Sequence, residues 1–421
     1  MRIRSEIHVS VGTSVFLTLL SLTATVNCHS FETVYSWKEI DFNFPNDSIR
    51  QEYTASGDYI QKNNAPVGIN IWRNKLFVTV PRWKKGVPAN LNYIDLSQTE
   101  NIEMSPALTP YPDWDTNDIH SSSSNAIVSI FRVRVDKCNR LWGLDTGIDD
   151  IVGDNNVVAP PTLIVIDLTT DKIIRRYPLK DSDQKADSFF ADMVVDVEAD
   201  SCDNAYAYIS DLGGYGLVVY SWAENNSWRV SHNYFYFDPL QGDYNVNGIN
   251  FQWTDGIFGL SLSEKQQPLG YKTLYFHAMS GITEFEVSTI ILKNETTATS
   301  SNNYYDFEVA GIKGELTQGP SCVIDTETGI DYFTHVNRNG IGCWDTSVKL
   351  TPDTFHILAE DAEKLRFPND LAIRSENRKL YVLADNFAEF LNLDISLRET
   401  NYVITAASLD TLANECKCQS Y

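Results

Sequence analysis

At 421 residues, with 21% charged and 43% hydrophobic side chains, the chain has the composition of a globular protein and not of a disordered one. Its formal net charge of −23, with no clustered Lys/Arg run, argues against nucleic acid as a partner, because such a chain repels phosphate backbones. The same acidity suits solubility in a secretion and attracts cationic ligands, amines included.

The N-terminus reads as a secretory signal. Arg2 and Arg4 supply a positive start, and Val9 to Val26 is apolar, Ser/Thr-rich and uncharged. Cleavage near Cys28 leaves 29–421 as the mature chain and places the protein outside the cell. The Ser/Thr dilution argues against a membrane anchor. No other apolar run approaches the ~20 residues that a spanning helix needs.

Further along, one short motif recurs: an apolar residue, an aromatic, then strand-like residues ending in a polar turn. Its copies are Leu76-Phe77, Leu141-Trp142, Ala207-Tyr208, Leu274-Tyr275, Tyr332-Phe333 and Leu380-Tyr381. Each has an apolar stretch before it. These predict strands over Gly68–Trp72, Ile130–Asp136, Asp192–Val197, Ile257–Ser263, Pro320–Asp325 and Asp370–Arg374. Each has another strand-like stretch after it, and Gly/Asn/Asp turns separate them. Almost nothing reads as a long amphipathic helix. Six such units predict an all-β, six-bladed β-propeller; a pair of β-sandwiches is the competing fold. Thr33–Phe44 precedes the first unit and is expected to pair with the last blade, closing the ring.

In a propeller the first strand of each blade lines the central channel. The starts of these strands place Asp192, Gly256, Ser321, Asn369 and Asp370 near one another. His335, Asp192 and Asp370 are the candidate acids and bases with a channel position. Thr317 and Phe367 are candidate ligand contacts by position. The bland readings are a hydrogen-bonded histidine at a strand end, an Asx turn for Asp370 and core packing for Phe367.

Several chemistries find no support. There is no HxH, HExxH or CxxC spacing, so no metal is expected. There is no GxSxG nucleophile motif. Gly213-Gly214-Tyr215-Gly216 leads into a strand and not a helix, so it is no phosphate loop, and no cofactor is expected. Six cysteines remain after signal removal: Cys138, Cys202, Cys322, Cys343, Cys416 and Cys418. An even number in a secreted chain predicts disulfides, with the pairing left open. Asn46, Asn225 and Asn294 head N-glycosylation sequons.

The ordered motifs carry a resemblance. Leu76 to Arg82, Asn92 to Leu96, Cys138-Asn139-Arg140-Leu141-Trp142 and Asp145-Thr146-Gly147 come first. Asp192 to Asp196, Gly256 to Gly259, Gly342-Cys343-Trp344 and Pro368-Asn369-Asp370 follow. Running from about Trp37 to the C-terminal cysteines, this series resembles the yellow / major royal jelly protein family of insects. The resemblance implies a Cys138–Cys202 bridge and a second from Cys343 to the tail, through Cys416 or Cys418. Cys322 lies outside that pattern and either pairs with the other tail cysteine or stays free.

The resemblance also implies the range of functions. Members are linked to melanin and cuticle pigmentation, are similar to dopachrome-converting enzymes, bind biogenic amines in saliva, or serve as secreted structural or nutrient proteins. Asn337 matches, by its spacing before Cys343-Trp344, an Asn of the amine-binding members. Three readings follow: conversion of a catechol- or indole-type molecule such as dopachrome, amine binding without catalysis, or an extracellular factor whose outer surface meets cuticle. Conversion requires an ionisable channel residue with a shifted pKa. Amine binding requires an aromatic wall with a carboxylate. A structural factor requires a plugged or purely apolar channel.

Overall fold

The computed structural model describes residues 31–97, 103–120, 126–266, 270–393 and 395–418, the last without its side chain. The signal segment and Cys28 lie outside the described residues, as does the Cys418 side chain.

Six four-stranded antiparallel sheets form a ring. The innermost strands are Gly68–Trp72, Ile130–Val135, Phe190–Asp196, Ile257–Leu262, Cys322–Asp325 and Pro368–Arg374. They define blades 1 to 6 in chain order, and each packs against the inner strands on both sides, so the ring closes. Closure uses the N-terminus. Glu32–Trp37 pairs antiparallel with Tyr402–Ser408 and supplies the outer strand of blade 6. The strand from the amino end thereby covers an edge that would otherwise expose unpaired backbone. Of the expected Thr33–Phe44 segment, only the first part pairs with blade 6; Phe42 instead bridges to Leu108 of the first blade's outer region.

The recurring apolar–aromatic pairs fall in the second strand of each blade. Arg140–Asp145, Thr273–Ala278 and Ile330–His335 are buried along their whole length. Such strands lie between the sheets of two neighbouring blades, so both faces need apolar or fully paired side chains. Outer strands face water, and Lys172–Pro178 is largely exposed or half-buried with polar residues alternating.

One hairpin interrupts the pattern. Asp243–Val246 and Ile249–Gln252 pair across a two-residue turn, Asn247 at φ 50° and Gly248 at φ 88°. Both residues tolerate this left-handed geometry, which suits the strand twist. The hairpin leaves the ring between blades 3 and 4 and reaches blade 5, where the Asn337 side chain accepts from the Asn245 N–H at 2.9 Å.

Two disulfides brace the ring. Cys138–Cys202 joins the turns of blades 2 and 3, with Cα atoms 5.9 Å apart. Cys343–Cys416 ties blade 5 to the C-terminal helix Leu409–Cys418. Leu409, Leu412 and Ala413 of that helix pack on Ile341 and Leu358 of blade 5. Cys322 is free and buried.

A C138A/C202A variant is expected to lose about 2–4 kcal/mol, because the bridge closes a loop with a sequence separation of 64 residues. Denaturant unfolding of the variant against the unmodified protein measures this.

Candidate functional site

The channel is built around buried charge. Arg132 and Arg134 alternate with Val133 on the inner strand of blade 2, so both point toward the axis. Arg132 donates to Asp192 Oδ2 at 2.9 Å, to the Pro320 carbonyl at 2.8 Å and to Asn369 Oδ1 at 3.0 Å. Its guanidinium lies over the Phe258 ring, 4.4 Å from the centroid. Arg134 Nη2 reaches Asp192 Oδ1 at 2.7 Å and Asp370 Oδ1 at 3.2 Å. Ser321 donates to Asp370 Oδ1 at 3.0 Å, and the Ile69 N–H to Oδ2 at 2.9 Å. Two guanidiniums therefore neutralise two carboxylates, all four buried or nearly so. Burial pushes the Asp192 carboxyl up, opposed by the Arg134 and Arg132 charges. Burial alone would lower the Arg134 pKa; the Asp192 and Asp370 carboxylates outweigh it and hold that guanidinium charged.

This cluster separates two cavities. The lower one, about 290 Å³, lies at the C-terminal ends of the inner strands and is lined by Arg134, Val194, Ser261, Cys322 and Leu371. The upper one, about 340 Å³, lies at their N-terminal ends. Its wall is a belt of rings: Trp83, Phe131, Phe189, Trp253, Phe258, Phe367 and Phe387. Trp83 meets Phe131, Phe189 and Phe387 with centroids 4.9, 5.7 and 5.0 Å apart. Phe367 meets Trp253 at 5.8 Å.

Three of these rings are fixed from behind. Buried Arg82 donates to the carbonyls of Val128 and Asn117 at 2.8 and 2.7 Å, which pins the segment carrying Trp83. Asp145 accepts from the N–H groups of Val128 and Ser129 at 2.8 and 2.7 Å, ahead of Phe131. Asp211 does the same for the Phe189 N–H at 2.7 Å.

Among the described residues that line this cavity, one is acidic, Asp255. Among the described residues no cation or donor offsets its desolvation, so burial pushes its carboxyl up to about 6. Its backbone is fixed by the Ser280 N–H, which donates to the Asp255 carbonyl at 3.1 Å. Asn369 also lines the cavity; it donates to Asp385 Oδ2 at 2.6 Å and accepts from Arg132.

The structure brings Asp192, Asp370, Ser321 and Asn369 together, as their strand positions predict, but as parts of the ionic cluster. Every carboxylate oxygen of Asp192 and Asp370 has a charged partner, and neither residue lines a cavity. Phe367 and Asn369 line the upper cavity. Gly256 lies at its rim, where an added Cβ would meet the Phe235 carbonyl and the Tyr215 ring.

Three residues expected at the channel are elsewhere. His335 is wholly buried beside Phe355, with Nδ1 3.0 Å from the Thr317 carbonyl. Burial, aided by the Lys313 charge, holds this imidazole well below its ordinary pKa, so it is neutral. Thr317 donates to the Gly314 carbonyl at 2.6 Å and shapes a turn. Asn337 holds the inserted hairpin, donating to the Asp243 carbonyl at 3.1 Å. It supports the segment leading to Trp253 and does not line the cavity. Asn46, Asn225 and Asn294 are exposed, and Asn46 and Asn294 cap helices through Oδ1.

Asp255, Trp83, Trp253 and Phe189 are cavity residues that strand positions did not single out. They precede the inner strands or follow the second ones, in loops without periodicity. One signal was available: Trp253 and Asp255 directly precede Gly256-Ile257-Phe258-Gly259, and Trp83 follows Pro81-Arg82.

Fold and site together define a six-bladed β-propeller with an aromatic, singly acidic cavity at one mouth of a plugged channel. A family model described as "Major royal jelly protein" matches residues 128–418. The chain is 42% identical over 407 residues to "Protein yellow" of Drosophila yakuba and of Drosophila melanogaster, covering 96% of this chain and 74% of each relative. This chain belongs to the yellow / major royal jelly protein family. Among solved structures, a luciferin-regenerating enzyme overlaps with a TM-score of 0.47 at 11% identity, covering 82% of this chain and 92% of that one. Among the described residues, no helix is long and apolar enough to cross a membrane.

Replacing Arg132 with Met leaves buried Asp192 short of a partner and is expected to cost about 3–5 kcal/mol. R132M/D192N should lose less than the two single variants together, and a double-mutant cycle by denaturant unfolding reads that coupling.

Proposed function

We propose that this chain is a secreted protein of melanin or cuticle pigmentation that binds a cationic catechol- or indole-type molecule in its upper cavity. The carrying observation is the aromatic belt enclosing one carboxylate, Asp255. Ring faces attract both a flat aromatic ligand and its ammonium, and a desolvated carboxylate gives that ammonium a strong partner. Asn369 adds a polar contact for a phenol or indole N–H. The acidic chain draws cations toward the mouth. The N-terminal charge and apolar pattern supports secretion, and the two disulfides suit an oxidising compartment.

A second reading rests on the same residue. A carboxyl at about 6 is suited to remove a carbon-bound proton near neutral pH, as conversion of dopachrome to a dihydroxyindole requires. Asp192 and Asp370 are too fully engaged for that task. Asp255 is the base this reading needs.

Calorimetric titration with dopamine and serotonin tests binding. Asp255→Asn is expected to weaken either amine roughly tenfold or more, a loss of about 1.4 kcal/mol or more. In the unmodified protein, affinity should hold above pH 6 and fall as the pH drops through 6 and Asp255 takes up a proton. The sign for stability is opposite. A folded-state carboxyl raised above its unfolded value costs stability as pH rises toward 6, so Asp255→Asn should be as stable as the parent, or more so, at pH 7–8. Optical decay of dopachrome separates the two readings. Acceleration lost in Asp255→Asn establishes conversion. Binding without acceleration establishes a carrier, and no binding of either amine sinks the proposal.

A further inference from the structure

The seam between blades 4 and 5 holds a buried polar group that the upper cavity does not use. His277 lies on the second strand of blade 4 and Glu284 on its third. Cys322 opens the inner strand of blade 5. All three are buried. One donor atom from each lies within 4.8 Å of the other two.

The hydrogen bonds fix which atoms are free. His277 Nε2 is 3.1 Å from the Gly319 carbonyl. A carbonyl only accepts, so Nε2 carries the ring proton and a neutral imidazole presents a lone pair at Nδ1. That Nδ1 lies 2.8 Å from Glu284 Oε2. Lone pairs this close call for a cation beside them. Lys313 supplies part of it, with Nζ 3.2 Å from the same Oε2. Glu284 Oε1 is left without a partner. Cys322 takes part in no disulfide.

We propose that His277 Nδ1, Glu284 and Cys322 Sγ bind a divalent transition metal ion, with zinc the best match. Imidazole, carboxylate and thiolate are a ligand set for zinc and its neighbours and a poor one for magnesium or calcium. The surroundings have the form of an outer shell. The Gly319 carbonyl orients the imidazole through its other nitrogen, and Lys313 holds the carboxylate. Of the three ligands Cys322 borders the lower cavity, whose mouth carries exposed Lys137 and Glu264. Binding exchanges the thiol proton for the metal: the S–H bond breaks, a metal–sulfur bond forms, and the proton leaves to solvent. Affinity therefore rises with pH. The competing cation is a proton shared between His277 and Glu284. No short metal motif exists because the ligands come from three strands of two blades.

The test uses the full chain carrying C28S and C418S. Every other cysteine except Cys322 is then in a disulfide. After chelator treatment it is titrated with Co²⁺, and zinc content is measured by mass spectrometry. The expected result is close to one ion per chain, with near-ultraviolet absorption from a thiolate–cobalt bond. Affinity should fall roughly tenfold or more in H277Q and in C322S, which also loses the absorption. Substoichiometric binding, or binding without the thiolate absorption, overturns the proposal and leaves a proton-sharing His277–Glu284 pair. Affinity unchanged from the parent in H277Q and C322S overturns it in favour of a surface ion. Because the parent's own spectrum reports on Cys322, the test stands even if a buried-site variant fails to fold.

Discussion

The paired charges at the axis are the constraint on which the rest of this structure depends. A propeller has no central layer of its own, and its inner strands meet only around a channel. Here all six blades converge on Arg132, Arg134, Asp192 and Asp370. Blade 2 gives both arginines, blade 3 Asp192, blade 6 Asp370 and Asn369, and blade 5 the Pro320 carbonyl and Ser321. Blade 1 gives the Ile69 N–H and blade 4 the Phe258 ring. Burying four charges is costly, and an apolar plug of equal volume could be as stable. What the ionic plug adds is geometry. Bidentate and forked contacts hold only when each blade sits at one height and one rotation.

The upper cavity follows from that plug. By closing the channel midway, it turns an open pore into a cup with a floor. The floor takes up Arg132 and Arg134, and among the described residues no cation reaches Asp255. The contrast among the three carboxylates is informative. Asp192 and Asp370 are buried with partners and act as structure, while half-buried Asp255 has no charged partner among the described residues. A group whose environment costs stability at neutral pH is where a binding or reactive role is expected.

Much of this was legible in the sequence, and the reason is burial. The second strand of every blade is covered on both faces, so its apolar–aromatic pair repeats and can be counted. Inner-strand starts were legible too, which brought Asp192, Asp370, Ser321 and Asn369 together correctly. Strand position gives height along the axis, however, and not distance from it. His335 stands near the level of Ser321, since neighbouring Thr334 pairs with that residue, yet it lies one strand farther out and is sealed from the channel. Asp255, Trp83 and Phe189 were missed for a different reason. They occupy loops, where no period marks a residue, and only the direction of the adjoining strand aims them inward. The family resemblance placed Cys138–Cys202 directly, and geometry chose Cys416 over Cys418 for the Cys343 bridge.

The seams explain why so many polar groups are buried in a fold built on apolar strands. Blades touch through flat sheet faces that could slide, and each seam carries a directional tie against this. Asn90 donates to the Ile130 carbonyl at 3.0 Å between blades 1 and 2, and a disulfide joins blades 2 and 3. Lys293 and Lys272 reach Asp196 and Glu198 at 2.6 and 3.0 Å between blades 3 and 4. Ser261 donates to Asp331 at 2.7 Å between blades 4 and 5, and Arg378 meets Asp325 at 2.9 Å between blades 5 and 6. Arg374 donates to Asn74 at 3.0 Å where blade 6 meets blade 1. These ties differ in strength with exposure. The Arg374 contact is exposed to water and screened, whereas the charges in the seam of blades 4 and 5 are buried and must be balanced by partners fixed in place. In that seam Lys313 holds Glu284 at 3.2 Å, as the arginines hold Asp192 and Asp370 at the axis.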